Sequence, residues 1–201
     1  MLINELIQRD NIPDKPAFHA TTTHKFKQDL WDFFNKDAYK QLTFVEFGTS
    51  SGYTSMIASY LFKEVHTINL QQSENVQNYL SFRQNIFTHA FDLYSGNLAQ
   101  WNNIPTGDIF FIDARHDYPA VLQDINSVLT CVQSQQSKKI IVFDDYGIFP
   151  GVKRAVDEYI DKGILEVVTG IGQKEGYVYG EPTEEITRTL FAVEGLICRE
   201  V

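Results

Sequence analysis

Basic charge is scarce in this chain: 17 lysines and arginines stand against 26 aspartates and glutamates, a formal net charge of −9 over 201 residues. No basic run interrupts that acidity, so nucleic acid and anionic membranes, both gripped through clustered positive charge, are not expected partners. Cysteine is scarcer still. Cys131 and Cys198 lie far apart with no close partner of metal-ligand spacing, as expected of ordinary thiols in a reducing compartment, the cytoplasm. A long apolar run is also missing. The amino-terminal MLINELIQRDNIPDKP mixes charges into its apolar residues, which argues against a signal peptide and a membrane span and for a soluble protein. With no internal repeat, low-complexity tract or dividing linker, residues 1–201 are expected to form a single domain around one sizeable core.

What is present is ordered in three parts. Residues 1–40 form a helical preface, because LINELIQRD and KFKQDLWDFFNK place apolar residues at three- and four-residue spacing around the breaker-rich NIPDKPAFHATTTH. From 41 to 160, short apolar runs alternate with helical stretches: LTFVEFG, YTSMIASYLF, EVHTINL, ENVQNYLSFRQNIF, FDLYSG, DIFFIDA, YPAVLQDINSVLTCV, KKIIVFDDYG and PGVKRAVDEYIDKG. Fully apolar strands alternating with helices predict an α/β fold, a doubly wound, mostly parallel Rossmann-like sheet with helices on both faces. Residues 161–201 read as further strands, with an antiparallel edge.

The stretch VEFGTSSGYTS, residues 45–55, sets a glycine-rich turn behind the first apolar strand, where open α/β sheets bind ligands. A phosphate-binding loop needs a lysine after its last glycine, but Tyr53 and Thr54 follow Gly52; a dinucleotide fingerprint needs a third glycine that is missing. What remains is E-x-G-x-x-x-G, which resembles the first motif of class I S-adenosylmethionine-dependent methyltransferases. The alternative is a tight turn that uses glycine only for a positive φ. Downstream, EVHTINL, LYSGN, DIFFIDARHDY and IIVFDDYGIFPGVKRAVDEYI match that family in order, and the last two resemble the small metal-assisted O-methyltransferases, which include catechol O-methyltransferase and the macrolide and sugar enzymes.

The resemblance, covering about residues 40–160, implies transfer of a methyl group from S-adenosylmethionine to a hydroxyl of a small molecule, a sugar or phenol. It implies cofactor contacts from Glu46, Gly48, Thr49, Gly52, Tyr53, Asn69, Gly96, Asn97 and Asp113, with Ser95 beside the adenine segment. One position departs from the pattern. Asn69 stands where the family carries an acid for both ribose hydroxyls, and an amide offers one carbonyl acceptor and no charge.

Asp113 ends one expected strand and Asp144 and Asp145 the next, so in a parallel sheet the three carboxylates converge at the edge that carries the turn. Carboxylates so placed repel unless a cation neutralises them, and a hard ion such as Mg2+ takes oxygen ligands. The similar enzymes bind their metal there, and the alternative is that the aspartates cap turns. His116, three residues after Asp113, matches the family's general base, and an imidazole suits proton abstraction near neutral pH. It too has a structural alternative, a bond to a loop carbonyl. Tyr118, Tyr146 and Phe149 are candidate acceptor walls, and His19 and His24 flank ATTT as candidate covers of the cleft, whereas His66 and His89 are expected to satisfy local hydrogen bonds. The aromatic preface helices are suited to a homodimer interface. Two other expectations compete: a metal-independent methyltransferase, and a non-catalytic module of the same fold that binds a ligand or partner.

Overall fold

The computed structural model describes residues 2–15, 21–95, 104–130, 138–179 and 188–201. Two preface helices, α1 (Ile3–Arg9) and α2 (His24–Phe34), precede strand β1 (Thr43–Phe47). Helix α3 (Tyr53–Ala58), β2 (Glu64–Asn69), α4 (Glu74–Leu80), β3 (Ile86–Ala90) and β4 (Ile109–Ile112) follow. Then come α5 (Tyr118–Thr130), β5 (Ile140–Phe143), α6 (Pro150–Asp161) and strands β6 (Leu165–Ile171), β7 (Val178–Tyr179), β8 (Arg188–Thr189) and β9 (Gly195–Glu200). Local chemistry sets several of these starts. Thr23 caps α2 by accepting from the Phe26 amide at 3.1 Å, Ser73 caps α4, and Pro150 opens α6 where its missing N–H costs nothing.

Seven strands form one sheet in the order β3-β2-β1-β4-β5-β9-β6. The pairs from β3 through β5 are parallel; β9 runs antiparallel to both β5 and β6, which supplies the expected antiparallel pairing at that edge. Side chains alternate across the sheet, so each strand serves two cores. Phe44, Phe111 and Val142 face α1, α2 and α3, whereas Val45, Phe110 and Phe143 face α5 and α6. The preface belongs to the first of these layers, with Phe26, Leu30 and Phe34 nearly inaccessible.

Three segments differ from the sequence reading. The third strand is IFTHA, not FDLYSG; as an edge strand with one neighbour it carries a mixed exposure pattern that hides it, and Phe91 to Ser95 instead turn at its end. The helix read over ENVQNYLSFRQNIF stops at Leu80, where Arg83 and Asn85 turn back to bond the Ser59 carbonyl at 3.0 and 2.9 Å. The helix read over YTSMIASYLF ends at Ala58, and the chain then turns into β2.

Sheet order reverses around β1, which lies between β2 and β4. Phe47 is in register with Ile68 and Ile112, and Ile112 with Phe143, so Gly48, Asp113 and Asp144 stand one step beyond the ends of β1, β4 and β5, level with Asn69, the last residue of β2. Ligand sites of open α/β sheets form at such a switch point.

Candidate active site

The turn after β1 is built by close backbone approach. Gly48 has φ +95°, and a Cβ there would lie 2.2 Å from the Asp113 carbonyl oxygen, so no other residue fits without moving the end of β4. Gly52 has φ +79° and precedes α3, and a Cβ there would press on Leu80 at 2.9 Å. Ser50, between them, also adopts a positive φ of 44°.

Glu46 lies behind this turn. Its carboxylate is 1 % exposed and accepts from the Ser55 and Thr67 hydroxyls, both at 2.5 Å, while Thr67 meets Thr49 at 2.6 Å and Gln72 donates to Thr49 at 2.7 Å. Burial pushes the Glu46 pKa up to about 8 against the pull of those two hydrogen bonds, with the charge of Asp113 adding to the rise. This network fastens the turn to α3 and β2.

In front of the turn, Gly48, Asn69, Asp92, Tyr94, Ala114 and Arg115 line a cleft of about 340 Å³. Asn69 donates its amide to the Gln71 carbonyl at 2.9 Å, which leaves its side-chain oxygen as an acceptor. Asp92 accepts from the Tyr94 amide at 2.8 Å, and the Arg115 guanidinium, paired with Asp117 at 2.9 Å, lies over the Tyr94 ring.

A second cleft, of about 260 Å³, adjoins the first through Ala114 and is lined by Lys15, Ser50, Asp113, His116, Asp144 and Asp145 among others. One ligand atom each from Asp113, His116 and Asp145 lies within 4.8 Å of the others. His116 Nε2 is 3.4 Å from Asp113 Oδ1 and 3.2 Å from Asp145 Oδ2, and its ring stacks on Phe149 with centroids 4.3 Å apart. Burial alone would depress the His116 pKa, but the bond to Asp113 and the charges of Asp145 and Asp113 prevail and hold it above the ordinary imidazole value. Burial raises Asp113 against the pull of its bond to His116, and burial and then the charge of Asp145 raise Asp144 well above the ordinary carboxylate value. Asp144 is 4 % exposed, and its Oδ1 has no hydrogen-bond partner among the described residues. Three acidic side chains, one of them with an orphaned buried oxygen, form a donor set that fits a hard divalent cation.

The family model for a methyltransferase domain matches residues 45–146, just over half of the 201. The chain belongs to the methyltransferase domain family. Family and fold together make it an S-adenosylmethionine-dependent methyltransferase. No curated protein matches it. Among solved structures it is similar to the precorrin-6y C5,15-methyltransferase of Geobacter metallireducens, at 15% identity and a TM-score of 0.61, over 96% of this chain and 95% of that one. It is also similar to a putative methyltransferase of Streptococcus mutans in complex with S-adenosylhomocysteine, at 12% identity and a TM-score of 0.57, over 90% of this chain and 100% of that one. A methyltransferase of the mycinamycin biosynthetic pathway, in complex with Mg, S-adenosylhomocysteine and mycinamycin VI, matches at 15% identity and a TM-score of 0.58 over 80% of this chain and 48% of that one.

The methyltransferase brings most of the expected site residues to one sheet edge, with some changes of place. Glu46 and Thr49 are buried supports of the turn and line neither cleft, because Glu46 shares the sheet face of Phe44 under α3. Tyr53 packs against Tyr79, rings 5.8 Å apart, instead of bordering the cleft. His116 completes the tight group with Asp113 and Asp145, the latter in a left-handed backbone of φ 57°, while Asp144 lines the same cleft. Of the three aromatic candidates, Phe149 adjoins this group; Tyr146 bonds Asp157 and Tyr118 bonds Glu158. His24 is held by Asp14 and Ile12, and His66 and His89 bond each other at 3.0 Å. Gly96, Asn97, His19 and Cys131 lie outside the described residues. Sequence reasoning missed Asp92, Tyr94 and Lys15. The first two follow β3, which was misplaced, and no motif marks a preface lysine as part of a site.

Proposed function

We propose that this methyltransferase moves the methyl group of S-adenosylmethionine to a hydroxyl of a small molecule, a sugar or a phenol, with Mg2+ held by Asp113, Asp144 and Asp145 and His116 as general base. One cleft carries this reading: it shares Ala114 with the one in front of the glycine turn, Asp113, His116 and Asp145 converge in it within 4.8 Å, and the buried Asp144, whose Oδ1 has no hydrogen-bond partner among the described residues, lines it too. Cofactor and acceptor sites so joined put a donor methyl and an acceptor oxygen side by side, and alignment of that kind supplies much of the rate of a displacement at carbon. A divalent ion bound there lowers the pKa of a hydroxyl that it holds. His116, fixed by its stack on Phe149, takes the hydroxyl proton. Asn69 offers one acceptor to the ribose where two are usual. The net charge of −9 disfavours a polyanionic acceptor, although enzymes of this fold also include a tRNA methyltransferase of Aquifex aeolicus, and the mycinamycin-pathway enzyme was captured with Mg and mycinamycin VI.

A metal-independent reading draws on Lys15, whose ammonium already lies 3.4 Å from Asp145 Oδ1. Release of S-adenosylhomocysteine over a panel of sugar and phenol acceptors, with and without excess EDTA, separates the two. Turnover that EDTA abolishes and Mg2+ restores is expected; full turnover in EDTA assigns the chemistry to His116 without an ion.

A further inference from the structure

The carboxylate cleft is charged from two directions. Asp113, His116, Asp144 and Asp145 come from the sheet edge, but Lys15 comes from the preface, 130 residues before Asp145, and is only 8 % exposed. Its ammonium meets Asp145 Oδ1 at 3.4 Å, while Asp145 Oδ2 and Asp113 Oδ1 both face His116 Nε2. Both oxygens of Asp145 are thus engaged by the protein's own nitrogens, and Asp145 is one of the three groups best placed to ligate a cation.

The two nitrogens differ in how readily they yield. The His116 ring is held by its stack on Phe149, whereas Lys15 carries its charge on a flexible four-carbon stem. The stem leaves a well-fastened strap. On its near side Lys27 donates to the Pro13 carbonyl at 3.0 Å, and Asp14 accepts from the His24 amide at 2.6 Å. Lys27 also donates to the Thr22 carbonyl, and Thr23 bonds the buried Glu194 through its amide and hydroxyl at 2.9 and 2.6 Å. Thr21, beyond the Lys15 side of the strap, lines the same cleft.

We propose that Lys15 is a resident counter-cation of the carboxylate cleft, that a divalent ion displaces it, and that Lys15 thereby sets the metal affinity of the site and couples metal binding to the strap at residues 12–15 and 21–23. Like charges compete for the same carboxylates, so the ammonium lowers the affinity for the ion, and the ion in turn unlatches the strap; the coupling is reciprocal. The proposal rests on the metal reading of the site given above.

Mn2+ binding to the full chain without cofactor, measured by electron paramagnetic resonance, tests it with Lys15→Met and Lys15→Arg. Lys15→Met is expected to bind Mn2+ at least tenfold more tightly than the wild type, and Lys15→Arg, which keeps the charge, to stay within threefold of it. Hydrogen exchange supplies a second readout. Mn2+ should speed exchange of the amides of Ile12, Asp14, Lys15, Thr21, Thr22 and Thr23 in the wild type and change it little in Lys15→Met. Equal Mn2+ affinity in wild type and Lys15→Met, or weaker binding in Lys15→Met, overturns the proposal and leaves the metal site standing. Absence of Mn2+ binding to all three proteins overturns the metal reading and the proposal together.

Discussion

Replacing Glu46 by glutamine should change how the stability of the protein depends on pH more than it changes stability at any one pH. Burial raises this carboxyl from 4.5 to about 8, so in the folded chain it keeps its proton across a range where the unfolded chain has lost it. Its sign follows from linkage. Because the folded state binds more protons than the unfolded state between pH 4.5 and pH 8, stability contributed by this group is full below pH 4.5 and is lost as pH rises toward 8. The loss over that window is on the order of 3–5 kcal/mol. Glutamine keeps a carbonyl to accept from Ser55 and Thr67 and has no proton to lose. It substitutes an amide donor for the acid O–H, which costs about 1 kcal/mol if that donor goes unpaired. Guanidinium unfolding of wild type and Glu46→Gln at pH 5, 6.5 and 8 is the assay. The variant should be slightly less stable than the wild type at pH 5 and more stable at pH 8, with the curves crossing between. Asp113, Asp124 and Asp144, also raised by burial, keep a residual slope in both proteins, so the difference between the two is what counts. Parallel pH profiles would refute the raised pKa that burial gives Glu46.

Asp144→Asn should remove metal-dependent turnover by roughly a hundredfold or more, because it discharges a ligand of the proposed ion, while leaving S-adenosylhomocysteine affinity within threefold; calorimetry and initial rates check both, and unchanged turnover would sink the assignment. The same change removes one of three crowded carboxylates, so the metal-free protein should gain stability at pH 8. As the proposed general base, His116 must lose its own proton before it can take another, so kcat/KM is expected to rise with pH through neutrality. His116→Ala should flatten that limb and lower the rate roughly a hundredfold, and a limb that persists points to another base.

The legible parts of this molecule were those whose chemistry is local. Apolar runs such as DIFFIDA and KKIIVFDDYG declare buried parallel strands by composition alone, and a carboxylate directly after each run is placed at the ligand edge by topology. The glycines of EFGTSSG were readable for a similar reason, since a turn that tight admits little else, as Gly48 against the Asp113 carbonyl shows. What escaped depends on distance or on partial exposure. The edge strand IFTHA, paired on one side only, lacks the apolar signature, and its misplacement hid Asp92 and Tyr94 in the cleft. Glu46 was read as a ligand contact because its position in the motif is plain, yet which way its side chain points depends on the register of β1 under α3. Lys15 could not be found from sequence: its role is created by a strap that folds back across 130 positions.

The most direct test is calorimetric titration of S-adenosylhomocysteine into the wild type and Gly48→Ala, each with and without Mg2+. In Gly48→Ala a methyl group would enter 2.2 Å from the Asp113 carbonyl oxygen at a φ of +95°, so the turn must distort in front of the cleft. The wild type is expected to bind one equivalent, and Gly48→Ala, shown by circular dichroism to be folded, to bind at least tenfold more weakly. No heat of binding from the wild type in either condition would contradict the cofactor site at this turn, and with it the proposed methyl transfer.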